Sequence, residues 1–538
     1  MKEKQATSAV KSDISCKYSA SENISSDKLT WSIGQELVLR IEGLTHQGEG
    51  VGRSEGQVIF VAGALPGELI RAQVVEVKSK LLRGQLIEVL ETSEQRINPD
   101  CRYLDQCGGC NLQHAQYEEQ LRLKQQIVKQ ALQRIGRLPA DKVNQTMGMP
   151  DPWRYRNKIE VHVEAQIKKG QILLGYYQPS SHQVTEIEDC LLIPTGLRNI
   201  LDDIRSGLRE LLVGMESNSE FPLKHILFRK SFLTGEMAVI WVVTSASDLN
   251  WRKWISEYGP ELIKRNPGII CLAENINPAP FKTLLGRTTR IIFGRSRIQE
   301  GIGDLRFLLS PTSFYQVNPI QTEALYLKVL DFAQLTGNEK VLDIYCGVGT
   351  ISLFLAGSAA QVIGIEVVPE AVQDARRNAQ LNGISNAAFY KGTAEEWFSL
   401  LAKGAKMSRG RGKRNENKNE NKNGKNELDG DTNVDTKSQV IADLKVLSKK
   451  EKLYADGGQP DVVVLNPPRG GCTSTVLDGV IRLFPKRIVY VSCNPATLAR
   501  DLRILVDKSY EIREIQPVDM FPQTHHIECV VSLNRNHS

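Results

Sequence analysis

Hydrophobic and polar residues alternate with a period of two along Glu36-Leu-Val-Leu-Arg-Ile41, Gln57-Val-Ile-Phe-Val61, Leu69-Ile-Arg-Ala-Gln-Val-Val75 and Gly84-Gln-Leu-Ile-Glu-Val-Leu90. This is the spacing of half-buried strands. Glycines at 48, 50, 52, 56, 63 and 67 fall between the runs as turn residues. Short strands with Gly turns predict a small closed barrel of the OB type over 31–92. Across 93–310 the pattern is mixed and predicts an α+β domain. Leu121, Ile127, Val128, Leu132 and Ile135 fit one face of a helix over 117–137, and an amphipathic helix is predicted near 197–213. Ile159-Glu-Val-His-Val163 and Met237-Ala-Val-Ile-Trp-Val-Val243 read as strands. Within 311–538, apolar strands at 340–345, 361–366, 461–465, 487–492, 509–515 and 528–533 alternate with helical stretches. That alternation predicts a doubly wound, Rossmann-like parallel sheet.

Two segments fall outside these patterns. Residues 1–30 are polar, rich in Ser and Lys and poor in aromatic or branched residues, which predicts a disordered leader without the apolar core of a signal peptide. Residues 403–437 run from Arg-Gly-Arg-Gly-Lys-Arg into Asn-Glu-Asn-Lys repeats, and read as a disordered insertion in a surface loop. This insertion holds ten Lys/Arg against six Asp/Glu, so it accounts for +4 of the net charge of +6. The rest of the chain is close to balanced, and a nucleic-acid partner must be argued from motifs instead of bulk charge. With 538 residues the chain is too long for one hydrophobic core. No apolar run reaches the roughly twenty residues that span a bilayer. A cytoplasmic protein is expected, in which ten cysteines are metal-bound, catalytic or buried before they are disulfide-paired.

Candidate chemistry concentrates in the C-terminal third. Val341-Leu-Asp-Ile-Tyr-Cys-Gly-Val-Gly-Thr350 runs from a strand through a Gly-x-Gly loop towards a helix, and glycines there let a cofactor approach the backbone. The next strand ends in Glu366, placed to bind a ribose hydroxyl pair. Asp343 before the loop and the missing third glycine favour S-adenosylmethionine over NAD. Asp461-Val-Val-Val-Leu-Asn-Pro-Pro-Arg469 sets a rigid turn at the carboxyl edge of the sheet, with the side chain of Asn466 facing the crevice.

Val489-Tyr-Val-Ser-Cys-Asn-Pro495 ends an apolar strand in a cysteine on a turn, and His525-His-Ile-Glu528 opens the last strand with a carboxylate. A thiolate and a base are what methylation of uracil C5 requires. Addition of the thiolate at C6 makes C5 electron-rich, and after methyl transfer a base must remove the C5 proton before the thiolate leaves. Cys493 and Glu528 supply these groups. Cys346, Cys472 and Cys529 read as packing residues.

These motifs, together with Ser313-Phe-Tyr-Gln-Val-Asn318, resemble the RNA uracil-C5 (5-methyluridine) methyltransferase family over essentially 31–533. The N-terminal barrel resembles a TRAM domain, an RNA-binding module. The resemblance implies Cys493 as nucleophile and Glu528 as proton acceptor. It further implies Gln316, Tyr345 and Glu366 as contacts to S-adenosylmethionine, and Phe314 as a stacking surface for an extruded uracil. Asn466 stands where the family usually has Asp, so a negative charge is lost there. Thr350 and Thr393 stand where relatives can carry cofactor-binding Asn.

Cys101, Cys107 and Cys110 form a compact thiol group, with Cys190 far downstream. On residue chemistry alone, zinc and a [4Fe–4S] cluster are equally open. The resemblance implies the cluster, which ribosomal-RNA members of the family carry on this spacing, in a structural role. Pro152-Trp-Arg-Tyr-Arg-Asn-Lys158 adds aromatics among cations, a pattern suited to stacking and phosphate contact. A monomeric enzyme acting on 23S ribosomal RNA is the expectation, with no membrane partner. Three alternatives stand beside it: a transfer-RNA uracil-C5 methyltransferase, an amino-group methyltransferase using Asn-Pro-Pro, and an RNA-binding factor of weak activity.

Overall fold

The computed structural model describes residues 31–79, 81–213, 215–216, 220–245, 248–279, 283–399 and 459–536. The expected leader, 1–30, and the expected insertion, 403–437, lie outside the described residues.

Strands Glu36–Leu44, Gly50–Ser54, Gln57–Val61, Leu69–Lys78 and Leu81–Glu91 close a barrel in the order first, second, third, fifth, fourth. Their inward residues, including Leu39, Ile41, Ile59, Val61, Ile70, Val74 and Leu82, fill its core. The period-two reading found four strands and missed Gly50–Ser54, because Gly50 and Gly52 read as turn residues. They are in fact strand positions of close approach: a Cβ on Gly52 would lie 2.6 Å from a methyl carbon of Leu39. Here glycine admits the neighbouring strand's side chains instead of reversing the chain.

The middle region is a seven-stranded mixed sheet, in the order Thr288–Gly294, Ile269–Ile276, Met237–Val243, Leu223–Lys230, Lys158–Gln166, Gln171–Tyr177, Val184–Glu186. Helices Leu197–Val213 and Leu249–Arg265 cover one face, with Ile204, Leu208, Trp241, Trp251 and Leu262 between them. The helix Tyr117–Ala131 continues into a wider π turn, Leu132–Gly136, that ends at Arg137 in the left-handed region. The predicted apolar face needs correction. Leu123, Ile127 and Val128 are buried, but Ile135 is exposed, since the widened turn rotates it off the face. Lys124 is buried instead, its Nζ 2.6 Å from Asp519 Oδ1.

A two-stranded hairpin, Ile298–Ile302 and Leu305–Leu309, leads to the last sheet. That sheet runs Ala387–Lys391, Gln361–Glu366, Lys340–Ile344, Val462–Leu465, Arg487–Ser492, Glu528–Arg535, Tyr510–Val518. The first five strands are parallel, as expected. Glu528–Arg535 is antiparallel to both neighbours, which departs from the all-parallel expectation. The cause is the connection: 519–527 contains no helix, and a parallel return needs a crossover of about a dozen residues or more. Successive strand residues feed opposite faces. Leu342, Val463 and Ile488 pack with Leu498 and Leu502 on one side, and Val341, Val464 and Val489 pack with Leu325 and Val329 on the other. No helix among the described residues is long and apolar enough to cross a membrane.

Candidate active site

The parallel strands all end on one edge, and the candidate residues gather there. After Lys340–Ile344 the chain turns through Tyr345, Gly347 and Gly349, all with positive φ, into the helix Thr350–Ala356. Gly349 has no room for a side chain, since a Cβ would lie 2.9 Å from the Phe389 ring. Glu366, at the end of the adjacent strand, accepts from Gly347 N at 3.0 Å and from Val368 N at 2.9 Å. Behind the loop, buried Asp343 accepts from Ser352 Oγ at 2.5 Å, while its Oδ1 has no partner. Burial pushes its pKa up to about 7. A glycine cradle with an unpaired acceptor behind it and a carboxylate beside it suits a cofactor with ammonium and ribose groups.

The other expected cofactor contacts divide. Gln316 is buried and its carbonyl accepts from Asn157 Nδ2 at 2.9 Å. Tyr345 is half-buried, its phenol held protonated by burial. The Thr350 hydroxyl lies 2.7 Å from that of Tyr326. Thr393 caps a helix: its Oγ1 accepts from Glu396 N at 3.1 Å, and Glu396 Oε2 accepts from Thr393 N at 3.0 Å. That reciprocal box fixes Thr393 at the start of the helix. Phe314 is 70% exposed, on a loop fixed by buried Asp374, which accepts from Ser310 Oγ at 2.6 Å and from Ser313 Oγ at 3.1 Å.

Cys493 follows directly on Arg487–Ser492, and Asn494 then caps the helix Pro495–Asp507 by accepting from Ala496 N at 3.0 Å. Ser492 pairs with Cys529 in the antiparallel register, so Cys493 and Glu528 are brought to facing positions. Burial, and the nearby Glu528 carboxylate, raise the Cys493 thiol to about 11. Burial raises Glu528 to about 8, and Arg469 opposes both shifts. The asymmetry has a simple cause: Glu528 ionises while the thiol is still neutral, whereas the thiolate forms against an existing charge.

Arg469 is a site residue that the sequence reading noted only as the residue after Asn466-Pro-Pro. Its loop is fastened to the helix behind the cysteine. The Arg469 carbonyl accepts from Asn494 Nδ2 at 3.1 Å and Thr497 Oγ1 at 3.3 Å, and Asp501 holds Cys472 N at 2.8 Å and Tyr490 Oη at 2.6 Å. Asn466 sits at the same edge, its N–H 3.3 Å from the Ile344 carbonyl. His525 and His526, just before Glu528, are held neutral by burial and nearby cations, with pKa values near 4 and 3.

Cys101, Cys107, Cys110 and Cys190 line one cavity of about 110 Å³ with Arg156 and Tyr176. Burial raises Cys110 to about 12 and Cys190 to about 11, with neighbouring thiols adding to both shifts. The expected ligand set is therefore gathered, but no three His, Cys, Asp or Glu side chains among the described residues converge closely enough to hold a metal ion. The aromatic and cationic segment 152–158 is corrected. Tyr155 is buried with its hydroxyl on the Pro522 carbonyl at 3.0 Å, Arg154 forks onto Asp189 at 2.8 and 2.7 Å, and Arg156 faces the thiol cavity. These side chains pair within the protein, around the thiol cavity and with the loop before the last strand.

A glycine loop, a thiol and a carboxyl at one edge of a Rossmann-like sheet, with a small N-terminal barrel that reaches His525, are the features of an RNA-modifying methyltransferase. Residues 31–87 match the TRAM domain, 335–406 a methyltransferase domain, and 438–536 tRNA (Uracil-5-)-methyltransferase. The chain is 39% identical to an uncharacterized RNA methyltransferase of Halalkalibacterium halodurans, over 92% of this chain and 95% of that one. It is 38% identical to one of Caldanaerobacter subterraneus, over 94% and 99%. It shares its fold with the Pyrococcus abyssi tRNA (uracil-54, C5)-methyltransferase, solved with S-adenosyl-L-homocysteine: TM-score 0.63, 24% identity, 92% of this chain and 98% of that one. The chain belongs to this family of RNA methyltransferases, with an N-terminal TRAM domain and a C-terminal region of the uracil-5-methyltransferase type.

Proposed function

We propose that this protein methylates C5 of a uridine in 23S ribosomal RNA, with Cys493 as nucleophile and Glu528 as base. The observation that carries the reading is the facing placement of these two side chains at the ends of adjacent strands, beside the glycine loop. When bound, S-adenosylmethionine supplies an electrophilic methyl group. Gln316, Tyr345, Glu366 and Asn466 are its proposed contacts, with Thr350 at the rim, and Phe314 is the proposed stacking surface for the extruded base. Cys493 Sγ adds to C6 and the ring becomes an enolate whose C5 takes the methyl. Glu528 then accepts the C5 proton, the C–H electron pair restores the C5–C6 double bond, and the thiolate leaves. Burial raises Glu528 to about 8, so the form that accepts the C5 proton is the carboxylate left once its own proton has passed to solvent, a fraction that grows as pH rises through about 8. The Asn466 amide keeps hydrogen-bonding capacity without the charge of an aspartate.

As part of this proposal the four cysteines around the cavity hold a [4Fe–4S] cluster, as the resemblance implies, with zinc as the alternative. Such a cluster is held by four thiolates, and its role is to fix the fold, because methyl transfer moves no electron.

The second reading, a transfer-RNA substrate, is favoured by the matched family description and by the substrate named for the Pyrococcus abyssi protein. The cysteine spacing, which the resemblance links to ribosomal-RNA members of the family, favours ribosomal RNA. Incubation with labelled S-adenosylmethionine and unmodified 23S ribosomal RNA or transfer RNA separates them. Label at a defined 23S uridine, lost in Cys493→Ala, is the expected result; label only in transfer RNA moves the substrate to the second reading.

A further inference from the structure

Asn111, directly after Cys110, is bound to the loop that leads into Glu528. The Asn111 and Leu112 N–H groups both reach the Gln523 carbonyl, at 3.2 and 3.1 Å. The Asn111 side chain completes the clamp: Oδ1 accepts from His525 N at 2.8 Å, and Nδ2 lies 2.5 Å from His525 Nδ1 and 3.3 Å from the Gln47 carbonyl. A backbone N–H only donates, so the amide oxygen must face it and the amino group must face the ring. His525 Nδ1 is then an acceptor, and the ring proton sits on Nε2. From the other side the barrel loop closes on the same residue, since a Cβ on Gly48 would lie 3.0 Å from His525 Cβ. Segments from the barrel, the cysteine loop and the last sheet thus meet three residues before Glu528, and buried Ile527 stiffens the link between them.

Building on the proposed role of Glu528, we propose that Asn111 is a positioning residue for it. Through His525, Asn111 holds the carboxylate on the C5 face of the uracil. Its contribution falls on the last step, in which the C5 proton passes to Glu528, the double bond re-forms and the Cys493 thiolate is expelled. Thiol addition and methyl transfer, which depend on the Cys493 turn and the glycine loop, do not need it.

The test follows labelled methyl from S-adenosylmethionine into an RNA that the wild-type chain methylates, with time points resolved on denaturing gels into protein-bound and released RNA. Glu528→Gln is the reference and should accumulate the labelled covalent adduct. For Asn111→Ala the expectation is release slowed about tenfold with adduct accumulating, while label enters the adduct within about twofold of the wild-type rate. Gly48→Ala, whose Cβ would press on His525 at 3.0 Å and meet the Asn111 side chain at 3.5 Å from the barrel side, disturbs the same clamp while keeping the Asn111 amide, and should give the same pattern. Release at the wild-type rate in both variants, or equal slowing of label entry and release, overturns the inference. Normal product release by Glu528→Gln overturns the reading of Glu528 itself, a distinct failure.

Discussion

Cys493 and Glu528 are both held in their neutral forms at pH 7, and this makes their titration a direct readout of the site. A thiol raised to about 11 is a poor nucleophile until something offsets the shift, and Arg469 is the cation placed to do so. Alkylation of Cys493 by iodoacetamide, followed on its tryptic peptide by mass spectrometry, should therefore be slow at pH 7 and rise with pH towards about 11. Arg469→Gln should slow it further at every pH, with about tenfold less thiolate for each unit by which the thiol rises. Unchanged alkylation in that variant would remove Arg469 from the site. Glu528 carries its proton below about 8 and accepts one only above it. Release of methylated RNA in single turnover should accordingly speed up as pH rises through about 8, and a rate flat from pH 6 to 9 would contradict Glu528 as the base.

At the scale of elements, the strand-loop-helix units that carry the site were legible because each ends in a motif whose chemistry depends on local sequence. The strands before the glycine loop, Asn466-Pro-Pro and Cys493 all lie where the apolar runs put them, and 197–213 forms a helix with the predicted bounds. What escaped depends on contacts between distant residues. The helix Leu249–Arg265, which contains Gly259 and Pro260, is not among the predicted elements; Asp248 caps it, accepting from Trp251 N at 2.8 Å, and Gly259 lets the Phe293 ring sit against it. Segment 152–158 looks like an exposed cationic patch in sequence, and only tertiary pairing with Asp189 and Pro522 turns it inward. Asn111 carries no sequence signal beyond its place after Cys110. The glycine loop gives a sharp test at this scale. Gly349 combines a φ of 82° with the Phe389 contact, so Gly349→Ala should weaken S-adenosylhomocysteine binding about tenfold, from roughly 1–2 kcal/mol of backbone strain. Isothermal titration calorimetry reads this, and unchanged affinity would argue against the loop as the cofactor cradle.

At the scale of the whole molecule, the barrel, the middle region and the last sheet converge on the short segment 519–528. Lys124 and Asp519 are both fully buried, joined at 2.6 Å, with the Tyr117 hydroxyl on the second carboxylate oxygen at 3.0 Å. Removing one partner of such a pair leaves a buried charge uncompensated, at a cost of about 3–5 kcal/mol. Lys124→Met should therefore lower the urea midpoint clearly, whereas Arg513→Met, which removes an exposed pair with Glu511, should leave it nearly unchanged. Equal midpoints for the two would mean the helix Tyr117–Ala131 is not anchored through this pair. The same convergence explains how a base on the last strand is held opposite a nucleophile on its neighbour. Covalent catalysis is the centre of the account, and RNA containing 5-fluorouridine tests it most directly, because the fluorine at C5 leaves Glu528 no proton to remove. With S-adenosylmethionine present, the wild-type protein should be trapped, with a methylated fluorouridine nucleotide on the peptide containing Cys493. Absence of any adduct, with ordinary RNA still methylated by both the wild type and Cys493→Ala, would contradict the mechanism.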